Sequence, residues 1–583
     1  MEKDPAEVEF KVRGYKLTFT PMKMVGWYDA TQLINTGAKA FISSVFGNYA
    51  DKREIQACLN NEDDHDYSDK KEVWFDYLAD LGDGFDSTYT LARLLAKEEL
   101  TIKDKASDKI IPRGDLLIMG GDQVYPVASR QGYLNRLTGP YNIAFPLNQN
   151  DPKAPHLYAI PGNHDWYDGL TNFLKIFCQR RSFGNWRTQQ HRSYFAIKLS
   201  SNVWLWGIDI QLDADIDKPQ LDYFNTISSK MKPEDKVILC TAEPSWVYTK
   251  NPKDLSYKNL EYFEKEYIVK KGFKLILSLA GDLHHYSRYS MEDEDTVLHK
   301  ITSGGGGAFL HPTHNLPEKL DKLREGSFDF KQAYPSKAES RRLILRNLIF
   351  PVTNWKFGFF MSGIYLLFAW ILQTSTRNND TTFLESLATN RPGFENIIWF
   401  YKQIISVIVF SPFLVVIIGV IVAGLYAFAD KNSKHKNWAK LFGLLHGISH
   451  LVINLLMLWV FSYINLQLFN IGLQQKEPLY NMFKGAGLLS LEMFLIGGGV
   501  GSMIMGIYLI ASNLLLGTHD NEAFSSLAWK DNKNFLRFHL TSKELTIYPI
   551  GIPKVTRWKK NGNYFEGTDA IPELIEEPIK IKL

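Results

Sequence analysis

Polar residues that could bind a metal ion or catalyse a reaction follow one apolar run in the first third of the sequence. Asn163, His164 and Asp165 come directly after the run HLYAI and the turn Pro161-Gly162. Asparagine and aspartate supply oxygen ligands for metal ions, and histidine titrates near neutral pH, so the triplet suits metal binding or acid-base catalysis. An ordinary loop is the other interpretation, because Asn, Asp and Gly are common turn residues.

The same arrangement recurs at three more predicted strand ends. Asp80 follows EVWFDYLA, and Asp122 follows DLLIM and two glycines. Asp282 and His284 follow FKLILSLA and one glycine. Glycine lets the backbone turn sharply and approach a ligand closely, and ligands of open α/β sheets bind at the carboxyl ends of strands. Four such ends at one edge of a sheet predict a metal centre built from carboxylate, amide and imidazole groups.

The elements that must hold these residues are short apolar strands, with helical stretches between several of them. Strands are predicted to end at Ala79, Met119, Ile160, Cys240 and Ala280, and SYFAIKL with VWLWGIDI reads as a hairpin. This pattern predicts an α/β fold, a layered domain with a mixed sheet. The earlier stretch GWYDATQLINTGAKAFISSVFG has helical periodicity. Two alternating runs after residue 517 predict a small β-hairpin, docked on the soluble domain or on the inner face of a membrane.

Taken in order, these motifs resemble those of the calcineurin-like metallophosphoesterase superfamily. Asp80-Leu81-Gly82 and the segment GDQVY around Asp122 are most similar to the DxG and GDxxY motifs of its purple acid phosphatase branch. GNHD at residues 162–165 is similar to the motif GNH[DE]. The resemblance covers about residues 72–309, and the whole chain resembles bacterial membrane-attached members. The resemblance implies a β-sandwich flanked by helices as the fold. It implies hydrolysis of a phosphate ester or pyrophosphate as the reaction.

Carried over residue by residue, the resemblance implies a centre with two divalent ions, of Mn, Fe, Mg or Zn. Asp122 would bridge both ions and Asn163 would bind the second. His164, oriented by Asp165, would protonate the leaving oxygen. Tyr125 has a second interpretation as a packing residue, because Pro126 follows it. The ligands implied are Asp80, Asp122, Tyr125, Asn163 and His284.

Two positions depart from the family pattern. Ala242 stands where a histidine is expected, with Glu243 beside it, and Asp282 stands where GHxH has its first histidine. Both imidazoles would serve the second ion, so we expect an oxygen-rich shell that includes Asp282 and Glu243. Hard oxygen ligands favour Mn²⁺ or Mg²⁺ over Zn²⁺. A weakened or vacant second site is the competing interpretation.

Hydrolysis at such a centre follows from elementary chemistry. Two cations a few ångströms apart lower the pKa of a bridging water, and the resulting hydroxide attacks phosphorus in line. His285, His311 and His314 are candidate substrate contacts near a run of four glycines, TSGGGG. As alternatives, His285 supports the metal ligands, and His311 and His314 belong to a surface loop in which their hydrogen bonds are satisfied.

Four later segments are long and apolar enough to span a bilayer, which takes roughly 20 residues. They cover about residues 355–372, 404–429, 441–463 and 485–517. Lys and Arg flank them on the side of both termini, which predicts that the termini and the N-terminal domain face the cytoplasm, as in a bacterial inner membrane. The flanking cations are Arg341, Arg342, Arg346, Lys431, Lys434, Lys436, Lys440, Lys530, Lys533 and Arg537.

Composition agrees with a cytoplasmic catalytic domain. The start MEKDPAEVEFKVRG has no apolar core, so no secretory signal is expected. Three separated cysteines suit a reducing compartment, and a formal net charge of +3 does not suggest a nucleic-acid binder. Inside the apolar segments, His446, His450 and Glu492 form either a polar pocket for a head group or ion, or a structural hydrogen-bond cluster.

Together these patterns predict a membrane-bound metallophosphoesterase. A lipid phosphate or similar amphiphile at the bilayer is one hypothesis for its substrate, and cytoplasmic nucleotides and phosphoproteins are the alternatives. We expect a helical lead-in at residues 1–70, the phosphoesterase domain at 71–350, about four transmembrane helices at 351–517 and a cytoplasmic β tail at 518–583. The alternative is a membrane sensor or transporter whose phosphoesterase-like domain binds a ligand without turnover. The sequence leaves the natural substrate and the oligomeric state open.

Overall fold

The chain of this computed structural model divides into two units, each with its own core. The sheet unit comprises Met1–Val25, Ile34–Arg341 and Ala528–Leu583, and the helical unit comprises Gly26–Leu33 and Arg342–Leu527. The helical unit is therefore inserted into the sequence of the sheet unit. The structure describes residues 7–12, 14–46, 56, 58–59, 65–104, 107–210, 216–250, 255–293, 296–374, 382–429, 436–471, 479–562 and 564–583.

Strands form where short apolar or alternating runs occur in the sequence. In chain order they are β1 Val8–Val12, β2 Tyr15–Phe19, β3 His65–Asp66, β4 Val73–Leu78, β5 Glu99–Ile102, β6 Lys109–Pro112, β7 Leu116–Met119, β8 His156–Ala159, β9 Ser182–Phe183, β10 Trp186–Thr188, β11 Phe195–Lys198 and β12 Val203–Gly207. There follow β13 Lys236–Cys240, β14 Lys274–Ala280, β15 Tyr286–Asp293, β16 Thr296–Ser303, β17 Lys319–Leu323, β18 Gly326–Tyr334, β19 Lys533–Leu540, β20 Glu544–Ile552, β21 Lys559–Asn561, β22 Tyr564–Glu566, β23 Glu573–Leu574 and β24 Ile579–Lys582.

Most of these strands belong to two nine-stranded mixed sheets, counted over the described residues. The first has the order β23-β20-β19-β4-β7-β8-β10-β9 with β24 on β20, and the second has the order β17-β18-β15-β16-β14-β13-β12-β11-β3. Phe75, Ile118 and Tyr158 of the first sheet share one buried cluster with Ile238 and Leu277 of the second. The two sheets therefore pack face to face, in agreement with the expected layered α/β fold.

Helices connect and cover these strands, and they continue through the helical unit. In chain order they are α1 Ala30–Phe46, α2 Phe85–Ala96, α3 Arg130–Tyr133, α4 Gly139–Ala144, α5 Asn163–Trp166, α6 Thr171–Phe177, α7 Lys218–Ser229, α8 Tyr257–Phe263 and α9 Lys337–Leu343. There follow α10 Phe350–Thr353, α11 Trp355–Thr374, α12 Phe383–Ala388, α13 Ile397–Val409, α14 Pro412–Phe428, α15 Lys436–Tyr463, α16 Leu479–Glu492, α17 Gly498–Leu516 and α18 Asp520–Ser525.

The last 56 residues differ from the small docked hairpin expected from the sequence. β19 and β20 do form a hairpin, but β19 also pairs with β4 over Leu536–Leu540. Arg537 of β19 is fully buried and forms a bidentate pair with Asp76 of β4, with Nε–Oδ1 2.6 Å and Nη2–Oδ2 3.0 Å. The C-terminal strands are therefore an integral part of the first sheet. The sequence pattern gave no partner for them because strand pairing is a long-range contact.

Within the described residues, three helices are long and apolar enough to cross a membrane. They are Trp355–Thr374, Lys436–Leu468 and Phe483–Leu516. The expected span at 404–429 is instead broken, because helix Phe394–Val409 and helix Pro412–Phe428 meet at an angle of 106°. Proline lacks an amide hydrogen and disfavours helical geometry in the preceding residue, here Ser411, so it ends one helix and begins the next. Counted as one span, this pair makes four.

The three ionisable residues singled out inside the apolar segments have partners within the helical unit. His450 Nδ1 lies 2.7 Å from the Tyr365 hydroxyl, and His450 Nε2 lies 3.1 Å from His446 Nε2. The Asn465 amide donates to Glu492 Oε2 at 2.7 Å. These bonds favour the hydrogen-bond cluster over a ligand pocket as the explanation of these residues.

Candidate metal centre

Parallel pairing brings the expected site residues to one edge of the first sheet. β7 lies between β4 and β8 and is parallel to both. Asp80 follows β4, Asp122 follows β7 after two glycines, and Asn163 begins α5 after β8. Asp80 N–H also donates to Gly121 O at 3.0 Å, so the loops after β4 and β7 hold each other. Convergence of these three residues is therefore a consequence of strand order.

Three aspartates of the site have a strained backbone. Asp80, Asp122 and Asp282 have φ values of 61°, 49° and 65°, in the left-handed region that most residues avoid. Such conformations cost roughly 1–3 kcal/mol each and are concentrated at functional sites. Each aspartate directly follows a strand or its glycines, so the strain aims the carboxylate at the sheet edge instead of along the strand.

The Tyr125 hydroxyl lies at the middle of the cluster. It is 2.9 Å from Asp80 Oδ1, 3.1 Å from Asp122 Oδ2 and 2.9 Å from His284 Nε2. All four side chains are at most 4% exposed. Tyr125 therefore joins the candidate ligands in space, which the packing interpretation of this residue did not anticipate.

Hydrogen bonds fix which nitrogen each site histidine presents. His284 Nδ1 lies 2.7 Å from the carbonyl oxygen of Phe309, which only accepts, so Nδ1 carries the proton and Nε2 offers its lone pair to the cluster. A ring held in this way by a backbone carbonyl is typical of metal-binding histidines. His164 Nδ1 lies 2.6 Å from Pro126 O, which only accepts, so Nδ1 carries the proton of the neutral ring.

Burial and mutual repulsion shift the acidic groups of the cluster. Desolvation raises the pKa of Asp80, and the charges of Asp122 and Asp282 raise it further. Desolvation also raises the pKa of Asp122 and of Asp282. The cluster therefore lacks positive charge, which a bound cation would supply.

Two buried oxygen atoms of the expected ligands have no hydrogen-bond partner. These are Asp80 Oδ2 and Asn163 Oδ1. Within the described part of the chain, no three His, Cys, Asp or Glu side chains are already spaced as a metal cage. The donor atoms nevertheless fit a divalent cation in chemistry and burial, because they include unpaired carboxylate and amide oxygens and an imidazole lone pair.

The structure changes the expected role of Asp165. The Asp165 carboxylate accepts a hydrogen bond from the Tyr133 hydroxyl. It also accepts from two backbone N–H groups, that of Gly162 at 2.9 Å and that of Gln123 at 3.1 Å. The group that orients the ring of His164 is the Pro126 carbonyl, not Asp165. Asp165 instead fixes the loops that carry Asp122 and Asn163, because it holds amides from both.

The three candidate substrate histidines separate in the structure. His285 is 1% exposed, as buried as the cluster itself, and His314 Nδ1 lies 2.8 Å from the Ser340 hydroxyl oxygen. His311 stacks on His284 with ring centroids 4.0 Å apart, so it adjoins the cluster. His285 and His314 stay proposed substrate contacts, and a serine partner 26 residues away is not visible in the local pattern.

The loop expected to supply ligands for the second ion lies beside the cluster. Ala242 is buried, and its carbonyl accepts a bond from Gly281 N–H at 3.0 Å, next to Asp282. Glu243 follows it and is partly exposed. The Tyr248 hydroxyl donates to Asp282 Oδ2 at 3.4 Å, a contact that sequence reasoning did not identify. Glu243 remains a proposed ligand.

The C-terminal strand contributes a further residue that the sequence did not indicate. Lys533 of β19 is fully buried, and its ammonium donates to Ala308 O at 2.6 Å. Ala308 N–H in turn donates to Asp80 O at 3.0 Å. Burial lowers the pKa of Lys533 to about 8. Lys533 therefore holds the glycine-rich loop against the strand end that presents Asp80.

Comparison with known proteins identifies the domain that carries this site. Residues 74–294 match the family model described as calcineurin-like phosphoesterase, so the chain carries a calcineurin-like phosphoesterase domain over this range. The match includes all the expected metal ligands. A comparison with curated proteins finds no significant match.

Three solved structures share low overall similarity with the chain. GAP50, the anchor in the inner membrane complex of Plasmodium, aligns at 14% identity and TM-score 0.30 over 46% of this chain and 81% of its own. Purple acid phosphatase PPD1 from yellow lupin seeds aligns at 13% identity and TM-score 0.29, over 42% of this chain and 46% of its own. PhoD aligns at 11% identity and TM-score 0.25, over 41% of this chain and 58% of its own. The chain thus spans about half the length of the last two.

Proposed function

We propose that this protein is a metal-dependent phosphoesterase whose active site is the cluster around Tyr125. The observation that supports this most strongly is the approach of Asp80, Asp122 and His284 to one hydroxyl, each within 3.1 Å. The calcineurin-like phosphoesterase domain over residues 74–294 supports hydrolysis of a phosphoester as the reaction class.

The residues that would hold a pair of divalent ions follow from position. Asp80, Tyr125 and His284 would hold one ion, Asp122 would serve both, and the second would be held by Asn163, Asp282 and Glu243. When bound, such ions activate water and neutralise charge on the phosphoryl oxygens. Oxygen donors dominate the second set, which favours Mn²⁺ or Mg²⁺ there.

His164 is the residue we assign to proton transfer. Burial lowers the pKa of His164 to about 4, so its ring is neutral at pH 7. An anionic phosphoester beside Nε2 favours the protonated ring, because opposite charge offsets the cost of burial. His164 would then donate the Nε2 proton to the leaving oxygen, while its backbone N–H, 2.9 Å from Asp122 Oδ1, keeps that carboxylate in place.

We further propose that the substrate is an amphiphile at a bilayer, such as a lipid phosphate or lipid pyrophosphate. The candidate spans of the helical unit support this, since that unit is joined to the phosphoesterase domain at both of its ends. The flanking Lys and Arg residues support a cytoplasmic orientation of the domain. Faster turnover of detergent-dispersed lipid phosphates than of soluble nucleotides is the expected result, and the reverse order would reject the lipid substrate.

The phosphoesterase proposal is tested with the purified full chain and Mn²⁺. We expect release of p-nitrophenol from p-nitrophenyl phosphate or bis(p-nitrophenyl) phosphate, and a loss of about a hundredfold or more in Asp122→Asn. Asp115→Asn is the matched control, because Asp115 lies at the opposite end of the same strand and binds Lys70 and Trp74.

Two results would reject hydrolysis at this site. Equal activity in Asp122→Asn and the wild type would place the chemistry elsewhere. No turnover of any phosphoester by folded, metal-loaded protein would instead support the sensor or transporter, in which the domain binds a ligand without hydrolysis. The presence of Ala242 and Asp282 where the family pattern has histidines is the feature that favours this second candidate.

A further inference from the structure

A basic pocket lies at the outer edge of the first sheet, where β10 and β9 continue it beyond β8. It has a volume of about 490 Å³. β10 pairs with β8 at the register Arg187 to His156, at the start of β8, whereas Asn163 follows the end of that strand. The lining residues are Leu147, Gln149, Arg180, Arg181, Ser182, Arg187, Thr188 and Gln189. None of these residues belongs to the candidate metal centre.

The lining is rich in hydrogen-bond donors and carries three positive charges. In the described part of the chain, the guanidinium groups of Arg180 and Arg181 have no hydrogen-bond or ion-pair partner, and both side chains are exposed. None of the described residues that line the pocket carries a carboxylate. The adjacent acid, Asp151, has its Oδ2 bound by the Asn185 amide at 2.6 Å. Asp151 interacts electrostatically with Arg187, so Arg180 and Arg181 carry the positive charge that the described residues leave unpaired.

The backbone and Arg187 hold this arrangement in place. Arg187 Nη2 donates to Asp151 O at 3.0 Å and to Gln149 O at 3.3 Å, so its guanidinium is fixed at the pocket wall. Arg180 has a φ of 48°, in the left-handed region, which turns the chain just before β9. Thr188 N–H donates to Arg181 O at 2.7 Å and fixes the next residue. The geometry is thus partly set before any ligand arrives.

We propose that this pocket binds a phosphate group, separately from the proposed catalytic centre. Arginine is suited to phosphate because its planar fork donates two parallel hydrogen bonds and stays charged. The volume lies in the range of small-ligand sites, about 300–1,000 Å³, and exceeds what one phosphate fills, so the ligand carries a further polar or glycerol-sized part. Free phosphate compounds and phosphomonoester lipid head groups share this chemistry.

The experiment uses the full chain in detergent with EDTA, so that ions at the metal centre do not contribute. Isothermal titration with inorganic phosphate, dihexanoyl phosphatidic acid and dihexanoyl phosphatidylcholine supplies the three arms. The test variant is Arg180→Gln/Arg181→Gln. The control is Lys258→Gln/Lys265→Gln, which removes the same charge from exposed lysines on another face of the sheet unit.

We expect phosphate and phosphatidic acid to bind the wild type and the lysine control equally. The arginine variant should bind at least about tenfold more weakly, because two charge-assisted contacts are lost. Tighter binding of phosphatidic acid than of phosphate identifies a lipid source, and equal binding identifies a soluble one. Unchanged binding in the arginine variant, or equal binding of phosphatidylcholine, overturns the proposal.

The result does not depend on the proposed catalytic function. Asp122→Asn should lose turnover and keep phosphate binding in EDTA, whereas the arginine variant should lose that binding. An inactive wild type that still binds phosphate through Arg180 and Arg181 would reject the hydrolase and leave this site standing. Loss of binding in Asp122→Asn would instead assign the anion to the aspartate cluster and reject the separate pocket.

Discussion

Replacement of Gly162 by alanine tests whether close backbone approach assembles the metal centre. Gly162 precedes Asn163 and has φ −98°, which alanine adopts freely, so only steric contact is changed. A Cβ atom there would lie closer than 3.0 Å to both the carboxylate and the backbone nitrogen of Asp122. The carboxylate can rotate, but the backbone cannot, so the loops after β7 and β8 must separate by on the order of 1 Å.

The size of the effect follows from this displacement. Overpacking costs roughly 1–3 kcal/mol of unfolding free energy. Misplacement of reacting groups by about 1 Å costs about a hundredfold in rate. We therefore expect Gly162→Ala to lose activity on p-nitrophenyl phosphate by about two orders of magnitude, with only a moderate decrease in thermal stability.

Gly169→Ala is the matched control in the same segment. Gly169 has φ 63° and open space around its Cβ position, so alanine strains the backbone without touching Asp122. This variant should lose about 1–2 kcal/mol of stability and keep its activity. The reasoning is refuted if Gly162→Ala retains activity within a few-fold of wild type, or if both variants lose activity in proportion to their melting temperatures.

Four further outcomes are expected. Arg537→Met should destabilise the protein by about 3–5 kcal/mol in denaturant unfolding, because Asp76 is left buried and unpaired. The double variant Asp76→Leu/Arg537→Met should recover most of this loss, and an equal loss in the double variant would contradict the reasoning. Lys533→Met should lower kcat more than it changes KM, because Ala308 O loses its donor beside Asp80; unchanged kinetics would remove Lys533 from site positioning. EDTA should abolish turnover and lower the melting temperature, and Mn²⁺ should restore both by mass action; full activity in EDTA would exclude the proposed ions. Burial lowers the pKa of His299 from 6.5 to about 4 in the folded chain, so its contribution to stability is complete above pH 6.5 and is lost as the pH falls towards 4. His299→Asn should therefore make the melting temperature less sensitive to acid, and an unchanged pH profile would show that His299 is not involved.

The strand ends and the residues that follow them were predictable because both are local. Short apolar runs predicted the ends at Met119, Cys240 and Ala280, where β7, β13 and β14 stop. The pairing of β11 with β12 was also predictable, since a short connection joins two apolar runs. Average hydropathy does not reveal the break at Ser411-Pro412, because it takes no account of the geometry that proline imposes.

Residues that act across long sequence distances were not predictable. Asp165 and His164 are neighbours in sequence, yet the ring of His164 binds Pro126 and the carboxylate of Asp165 binds other amides. Lys533 lies 225 residues from the carbonyl that it holds. Such partners depend on which strands become neighbours, and no local pattern encodes that order.

The sequence by itself determined the chemistry available at each strand end and the division into a mixed α/β part and an apolar helical part. Residue type and hydrophobic period are properties of short segments, so they are readable without coordinates. Only the tertiary structure decided that the C-terminal strand completes the first sheet, that Tyr125 stands among the carboxylates, and that arginines near β9 and β10 share one pocket. The physical reason is that strand order, backbone strain and burial arise from packing between segments far apart in the chain.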